Sequence, residues 1–104
     1  MTGNELPAVS IADLQSLLRR REVSPREVIN ALRQRVESID PDVGAYLSLN
    51  FDAAVKEAEH ANVDLPLGGI PIAIKDIIET ADMPTGMNSP LFRGWRSKKD
   101  APMT

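Results

Sequence analysis

Lys75 is the residue of this sequence best placed to do chemistry. It closes the apolar run Ile70-Pro71-Ile72-Ala73-Ile74, and in an extended chain alternate side chains share a face, which groups Lys75 with Ala73 and Pro71. An amine accepts a proton near neutral pH only when burial or a second cation disfavours its charged form. The plainer expectation for a lysine at a strand end is a solvated ammonium on an apolar stem. Asp76 would favour that charged form if its carboxylate reached the amine. Neighbours along a strand point to opposite faces, so the contact is not required.

Other reactive types are poorly placed. His60, the sole histidine, lies on an alanine-rich segment with no second ligand at helical spacing, so no metal site is expected. Gly68-Gly69 precedes an apolar run, whereas a phosphate-cradling loop follows a strand and opens a helix; no nucleotide cofactor is implied. Asp40 and Asp42 read as a helix stop rather than a carboxylate pair. Trp95 stands among Arg93, Arg96, Lys98 and Lys99 with no aromatic partner nearby, which fits a surface aromatic better than a nucleic-acid stacking platform. Arg19-Arg20-Arg21 ends an apolar-periodic segment, where cations oppose the helix dipole. None of the seven serines stands in a glycine-rich strand-to-helix turn that could pair a nucleophile with oxyanion donors.

The elements that position Lys75 are legible in part. Ser10 and Asp13 mark a capped helix start, and Ile11, Leu14, Leu17 and Leu18 share a face, predicting a helix over about 11–21. Ser24-Pro25-Arg26-Glu27 combines an N-cap, a first-turn proline and a capping-box glutamate. With Val28, Leu32, Val36 and Ile39 it predicts a helix over 24–39, stopped by Asp40-Pro41. Val43, Ala45, Leu47 and Leu49 alternate with polar or small residues, suggesting a short extended segment. Asn50 can cap a helix over about 51–61, with Ala54, Val55, Ala58 and Ala61 inward. Residues 62–69 form a turn, 69–75 a buried strand with Pro71 near its start, and 81–104 loops. One strand with at most a short companion cannot close its own ladder, so its edges await strands from elsewhere.

The run Pro66-Leu67-Gly68-Gly69-Ile70-Pro71-Ile72-Ala73-Ile74-Lys75-Asp76 resembles the opening motif of the amidase-signature family, P-L-x-G-I-P-x-x-[IV]-K-D. Thr80 to Thr85 resembles the family's T-x-G-x-P-T segment, with Asp82 at the glycine position, followed by Ser89-Pro90 and Asp100-Ala101; Ser24 to Val28 is similar to its recurrent S-x-E-[LV] helix start, with one more residue between serine and glutamate. The resemblance is taken to cover about nine tenths of the chain, its quoted positions running from Ser24 to Ala101. It implies an α/β fold, a mixed sheet covered by helices, of which 1–104 would be the N-terminal portion of a single amidase domain. It also implies hydrolysis of linear carboxylic amides: a serine attacks the carbonyl, a second serine with a cis peptide relays the proton, and Lys75 matches the lysine that serves as base. The two serines belong to a downstream glycine- and serine-rich segment with no counterpart here, so this chain alone is expected to be inactive. Gly69, Ile70 and Asp76 are carried as motif positions around the lysine. Two further positions depart from the family pattern. Ile77 stands where asparagine is common, and Asn88 replaces a glycine, a change the backbone tolerates if φ there is positive.

Length and composition agree with this reading. The chain has 104 residues, 42% hydrophobic and 26% charged, which predicts a folded protein but one small for a complete hydrolase domain. The net charge of −3 is spread over both halves, which argues against nucleic acid as a partner. Cysteine is absent, ruling out disulfides and thiolate chemistry. No apolar run approaches a membrane span, and Met1 to Glu5 has no basic flank or apolar stretch of a secretory signal; the expected location is the cytoplasm. The implied partner of the parent is a small amide substrate, with no cofactor, metal or membrane; its assembly as a homodimer is left open. The competing expectation is a non-catalytic helical interaction module from a naturally truncated reading frame, its unpaired strand and apolar helix faces docking a partner.

Overall fold

The computed structural model describes residues 5–104; the expectation about a secretory signal rests mainly on Met1 to Asn4, which lie outside them. The chain divides into two compact units, Met1–Ala45 with Asn50–Pro71, and Tyr46–Leu49 with Ile72–Thr104.

The first unit is helical. A 3-10 turn at Leu6–Ala8 leads into α1, Ile11–Arg19, whose N-cap Ser10 accepts a hydrogen bond from Asp13 N at 3.1 Å. The helix ends two residues before the expected Arg21. Arg21 takes φ 58°, its N–H bonds Leu18 O at 3.1 Å, and Glu22 N bonds Leu17 O at 3.0 Å. This is a Schellman closure with arginine where glycine is usual.

α2, Pro25–Val43, opens with the predicted capping box: Glu27 N donates to Ser24 Oγ at 3.2 Å and Ser24 N to Glu27 Oε2 at 3.4 Å. It does not stop at Asp40-Pro41. Pro41 sits in the last turn, where the loss of one N–H removes a single intrahelical bond, and the helix runs on to Val43 before Gly44 closes it at φ 68°. Asp40 helps, since its O accepts from Gly44 N and its Oδ1 from Ala45 N, both at 2.7 Å. The expected extended segment after Pro41 is therefore partly helix, and its remainder is irregular, with Leu47 80% exposed.

α3, Phe51–Ala58, begins where predicted, Ala54 N bonding Asn50 O at 2.9 Å, and stops three residues early. Ala54, Val55 and Ala58 are half-buried while Lys56, Glu57 and Glu59 are exposed, the division expected from the spacing. Arg33 ties α2 to α3: it pairs with Asp52 at 3.1 Å and Glu37 at 3.2 Å, and its guanidinium lies 5.7 Å from the Phe51 ring centroid. Those carboxylates, Asp52 first, raise the Arg33 pKa.

The core of this unit joins Leu6, Leu14, Leu18, Val23, Val28 and Ala31, with Leu17, Leu32, Val63 and Ile70 packed against it. Gly69 seats the 62–70 turn on that core. It has φ 80°, and a Cβ there would stand 3.0 Å from Pro25 Cγ and 3.4 Å from Leu18 Cδ1. α1 holds the same turn from its polar side, through Gln15 Nε2 to Pro66 O and Arg19 Nε to Val63 O at 3.3 Å.

No strand forms among the described residues. The expected strand over 69–75 is corrected to an irregular course, and the described residues do not show the α/β class. A strand exists only through a partner's N–H and C=O groups, and no described segment pairs with 71–75. The apolar run is consequently only partly buried: Ile70 packs against the helical core while Ile72 is 68% exposed.

The second unit has little regular structure, a 3-10 turn at Pro90–Phe92 being its one helical element among the described residues. Hydrogen bonds across loops hold it together. Ala101 N bonds Glu79 O at 2.9 Å, Ala81 N bonds Asp100 Oδ1 at 2.8 Å, and Thr85 N bonds Trp95 O at 2.9 Å. Ser97 Oγ lies 3.0 Å from Glu79 Oε2 and 2.7 Å from Lys99 O. Its buried residues are Thr80, Thr85 and Ser97, all polar.

Candidate active site around Lys75

Lys75 belongs to the second unit and opens a tight turn, Ile78 N bonding Lys75 O at 3.0 Å. Its side chain is exposed and forms no ion pair among the described residues. The desolvation that a neutral amine base requires is thus not supplied by these residues. Gly69 and Ile70, the other motif positions, lie in the helical unit, Gly69 at the close approach to Pro25 and Ile70 against the core.

Asp76 does not reach for the amine. Its Oδ1 accepts from Gly86 N at 2.8 Å and its O from Met87 N at 2.9 Å, so the carboxylate next to the lysine is spent on the 84–89 loop. That loop carries two non-glycine residues in the left-handed region, Met87 at φ 52° and Asn88 at φ 54°. The Asn88 value is the positive φ for which asparagine is a tolerated substitute for glycine; Met87 was not foreseen, and nothing in its side chain announces it. Ser89 caps the following turn, accepting from Leu91 N at 3.3 Å, and Ile77 is 55% exposed beside Asp76.

Most of the remaining serines have structural work or lie in helices, while Ser48 is exposed in the irregular segment after α2. Ser10 and Ser24 are caps, Ser38 Oγ donates to Arg35 O at 3.0 Å, and Ser97 is buried against Glu79. Trp95 does have an aromatic partner: Phe92 packs edge-on, with ring centroids 5.8 Å apart and planes at 79°. The 3-10 turn brings these rings together, a local closure that the spacing of three residues could have suggested. Thr85, which closes the Thr80 to Thr85 segment, is buried in a way its type does not announce. It is 1% exposed and its Oγ1 has no hydrogen-bond partner among the described residues. Among the described residues no group of His, Cys, Asp or Glu could hold a metal ion, and no helix is long and apolar enough to cross a membrane.

Comparison with known proteins places these features in a family. A family model described as Amidase matches residues 27–104, which include Lys75, Asp76 and the whole 84–89 loop. The chain is 38% identical over 93 residues to the glutamyl-tRNA(Gln) amidotransferase A-subunit of Methylacidiphilum infernorum, a match covering 89% of this chain and 19% of that protein. It is 34% identical over 109 residues to the corresponding A-subunit of Corynebacterium glutamicum strain R, covering 97% and 22%. With that of Paenarthrobacter aurescens it shares 38% over 111 residues, covering 94% and 21%. The chain thus spans about a fifth of the length of these relatives. By the extent of the family match, the chain belongs to the amidase family, the amidase-signature proteins.

Proposed function

We propose that the chain is the lysine-bearing N-terminal portion of an amidase domain that cleaves carboxylic amide C–N bonds, and that Lys75 is its base. The observation that carries this reading is the motif running from Pro66 to Asp76, which ends in Lys75-Asp76 inside the family match. In the proposed reaction a serine outside this chain attacks the amide carbonyl and forms an acyl ester as the amine leaves. A second serine passes the nucleophile's proton to the Lys75 amine, which must be unprotonated at that step and then returns the proton to the leaving nitrogen; water then hydrolyses the ester to the acid. The exposure of Lys75 supports inactivity of the isolated chain, because the neutral amine needs walls that the described residues do not provide.

A second reading is amide-nitrogen transfer within a complex of several different chains, favoured by the relatives, which are named as A-subunits of glutamyl-tRNA(Gln) amidotransferases. Both readings use the same lysine. The test is a fusion of this chain to the remaining four-fifths of the Methylacidiphilum infernorum relative, a share read from the 19% coverage, assayed for ammonia release from a small amide such as glutamine. The fusion is expected to turn over, and the 104-residue chain alone is not. Lys75→Ala is expected to lower kcat of the fusion by about 10³-fold or more, the scale of losing a general base. A folded Lys75→Ala fusion with undiminished turnover would remove Lys75 from the mechanism.

A further inference from the structure

We propose that Asp76 is a positioning residue, which fastens the turn bearing Lys75 to the 84–89 loop and so sets where the amine stands; the proposal rests on the reading of Lys75 as base. Lys75 is exposed and has no ion pair among the described residues, so its placement comes from its backbone. That backbone is fixed at three points. Lys75 O accepts from Ile78 N at 3.0 Å, Asp76 O from Met87 N at 2.9 Å, and Asp76 Oδ1 from Gly86 N at 2.8 Å. The last bond is half-buried and involves a charged acceptor, which makes it the strongest kind of the three.

Gly86 is shaped for this contact. A Cβ on it would stand 2.8 Å from Asp76 Oδ2, so the carboxylate occupies the space that any other side chain would need. The loop it grips is held in an unfavourable backbone conformation at Met87 and Asn88, which persists only where the surroundings enforce it. Asp76 supplies that enforcement with both its side chain and its carbonyl. An aspartate paired with the lysine would instead favour the ammonium, and no such pair occurs among the described residues.

The test has two arms. In the fusion, Asp76→Ala is expected to lower kcat about 100-fold with KM nearly unchanged, the scale of a catalytic group displaced by ~1 Å. Asp76→Asn keeps an Oδ1 acceptor and is expected to recover most of that loss, while Gly86→Ala, which drives a Cβ onto Oδ2, reproduces it without touching Asp76. Asp100→Ala removes the bond to Ala81 N in the same unit and serves as the control, expected to stay within about threefold of the unmodified fusion. Equal losses from Asp76→Ala and Asp100→Ala, or full kcat in Asp76→Ala, overturn the positioning role. Lys75→Ala is read separately: its activity decides the base, and an inactive Lys75→Ala beside a fully active Asp76→Ala leaves the base standing while the positioning role falls. The second arm uses the 104-residue chain and needs no turnover. Amide exchange of Gly86 and Met87 is expected to accelerate about tenfold or more in Asp76→Ala and to be unaltered in Lys75→Ala. Unchanged protection in Asp76→Ala overturns the clamp whatever the fusion does.

Discussion

The two units solve the same problem with different chemistry. The helical unit buries leucine, valine and alanine side chains from α1, α2 and the turn before Pro71, and its backbone groups satisfy one another within helices. The second unit buries two threonines and a serine and is tied by carboxylates and carbonyls of Asp76, Glu79 and Asp100 gripping loop amides. The lesson is that Lys75 and Asp76 occur where specific hydrogen bonds, not apolar burial, determine the backbone, whereas the motif positions Gly69 and Ile70 rest on the helical core. Apolar packing tolerates shape changes of a similar volume, whereas a loop amide finds one acceptor or none.

This contrast can be broken by substitution. Leu18→Ala, at a side chain 2% exposed in the small helical core, is expected to cost about 3 kcal/mol, read as a lower denaturant midpoint by far-ultraviolet circular dichroism. The same truncation in the second unit, Ile72→Ala at 68% exposure, is expected to stay within about 0.5 kcal/mol. Comparable losses at the two positions would erase the distinction. Gly69→Ala is expected to cost about 2 kcal/mol, since it imposes a strained φ and presses a Cβ against Pro25. The measurement is the thermal midpoint, and an unchanged value would mean the 62–70 turn is not set by that contact.

Smaller effects sharpen the comparison. Thr85→Val is expected to stabilise by about 1 kcal/mol, because it removes a buried hydroxyl with no partner among the described residues while keeping its shape. Loss of stability in equilibrium unfolding would instead reveal a bond to that oxygen. Arg21→Gly, at the left-handed closure of α1, is expected to add somewhat less, about 0.5–1 kcal/mol, again by equilibrium unfolding. Glu59→Gln, which weakens an exposed pair with Arg26 at 3.5 Å, is expected to change stability by less than about 0.5 kcal/mol.

Helix starts were the most legible part of the fold. Ser10 and Ser24 each cap the helix predicted for them, and Asn50 stands at the predicted N-cap position without a side-chain cap bond; such signals act within four residues and need no distant partner. Helix ends were less so. Asp40-Pro41 failed as a stop because proline in a final turn costs one bond, and Arg21 became a left-handed closure that its side chain does not advertise. The candidate site was legible only as a motif: Lys75 was found by its place after an apolar run, while the bond from Gly86 N to Asp76 Oδ1 joins residues ten apart through loops with no periodicity.

What the sequence determined by itself is therefore local and compositional: capped amphipathic helices, the alanine face of α3, and the motif that assigns the family. The tertiary structure decided whether 69–75 pairs as a strand, whether Lys75 is covered, and which amides Asp76, Glu79 and Asp100 engage. The physical reason is the range of the interactions. A cap or a helical face is complete within a few residues, whereas a strand, a desolvated amine and a carboxylate clamp exist only when a segment remote in sequence supplies the other half.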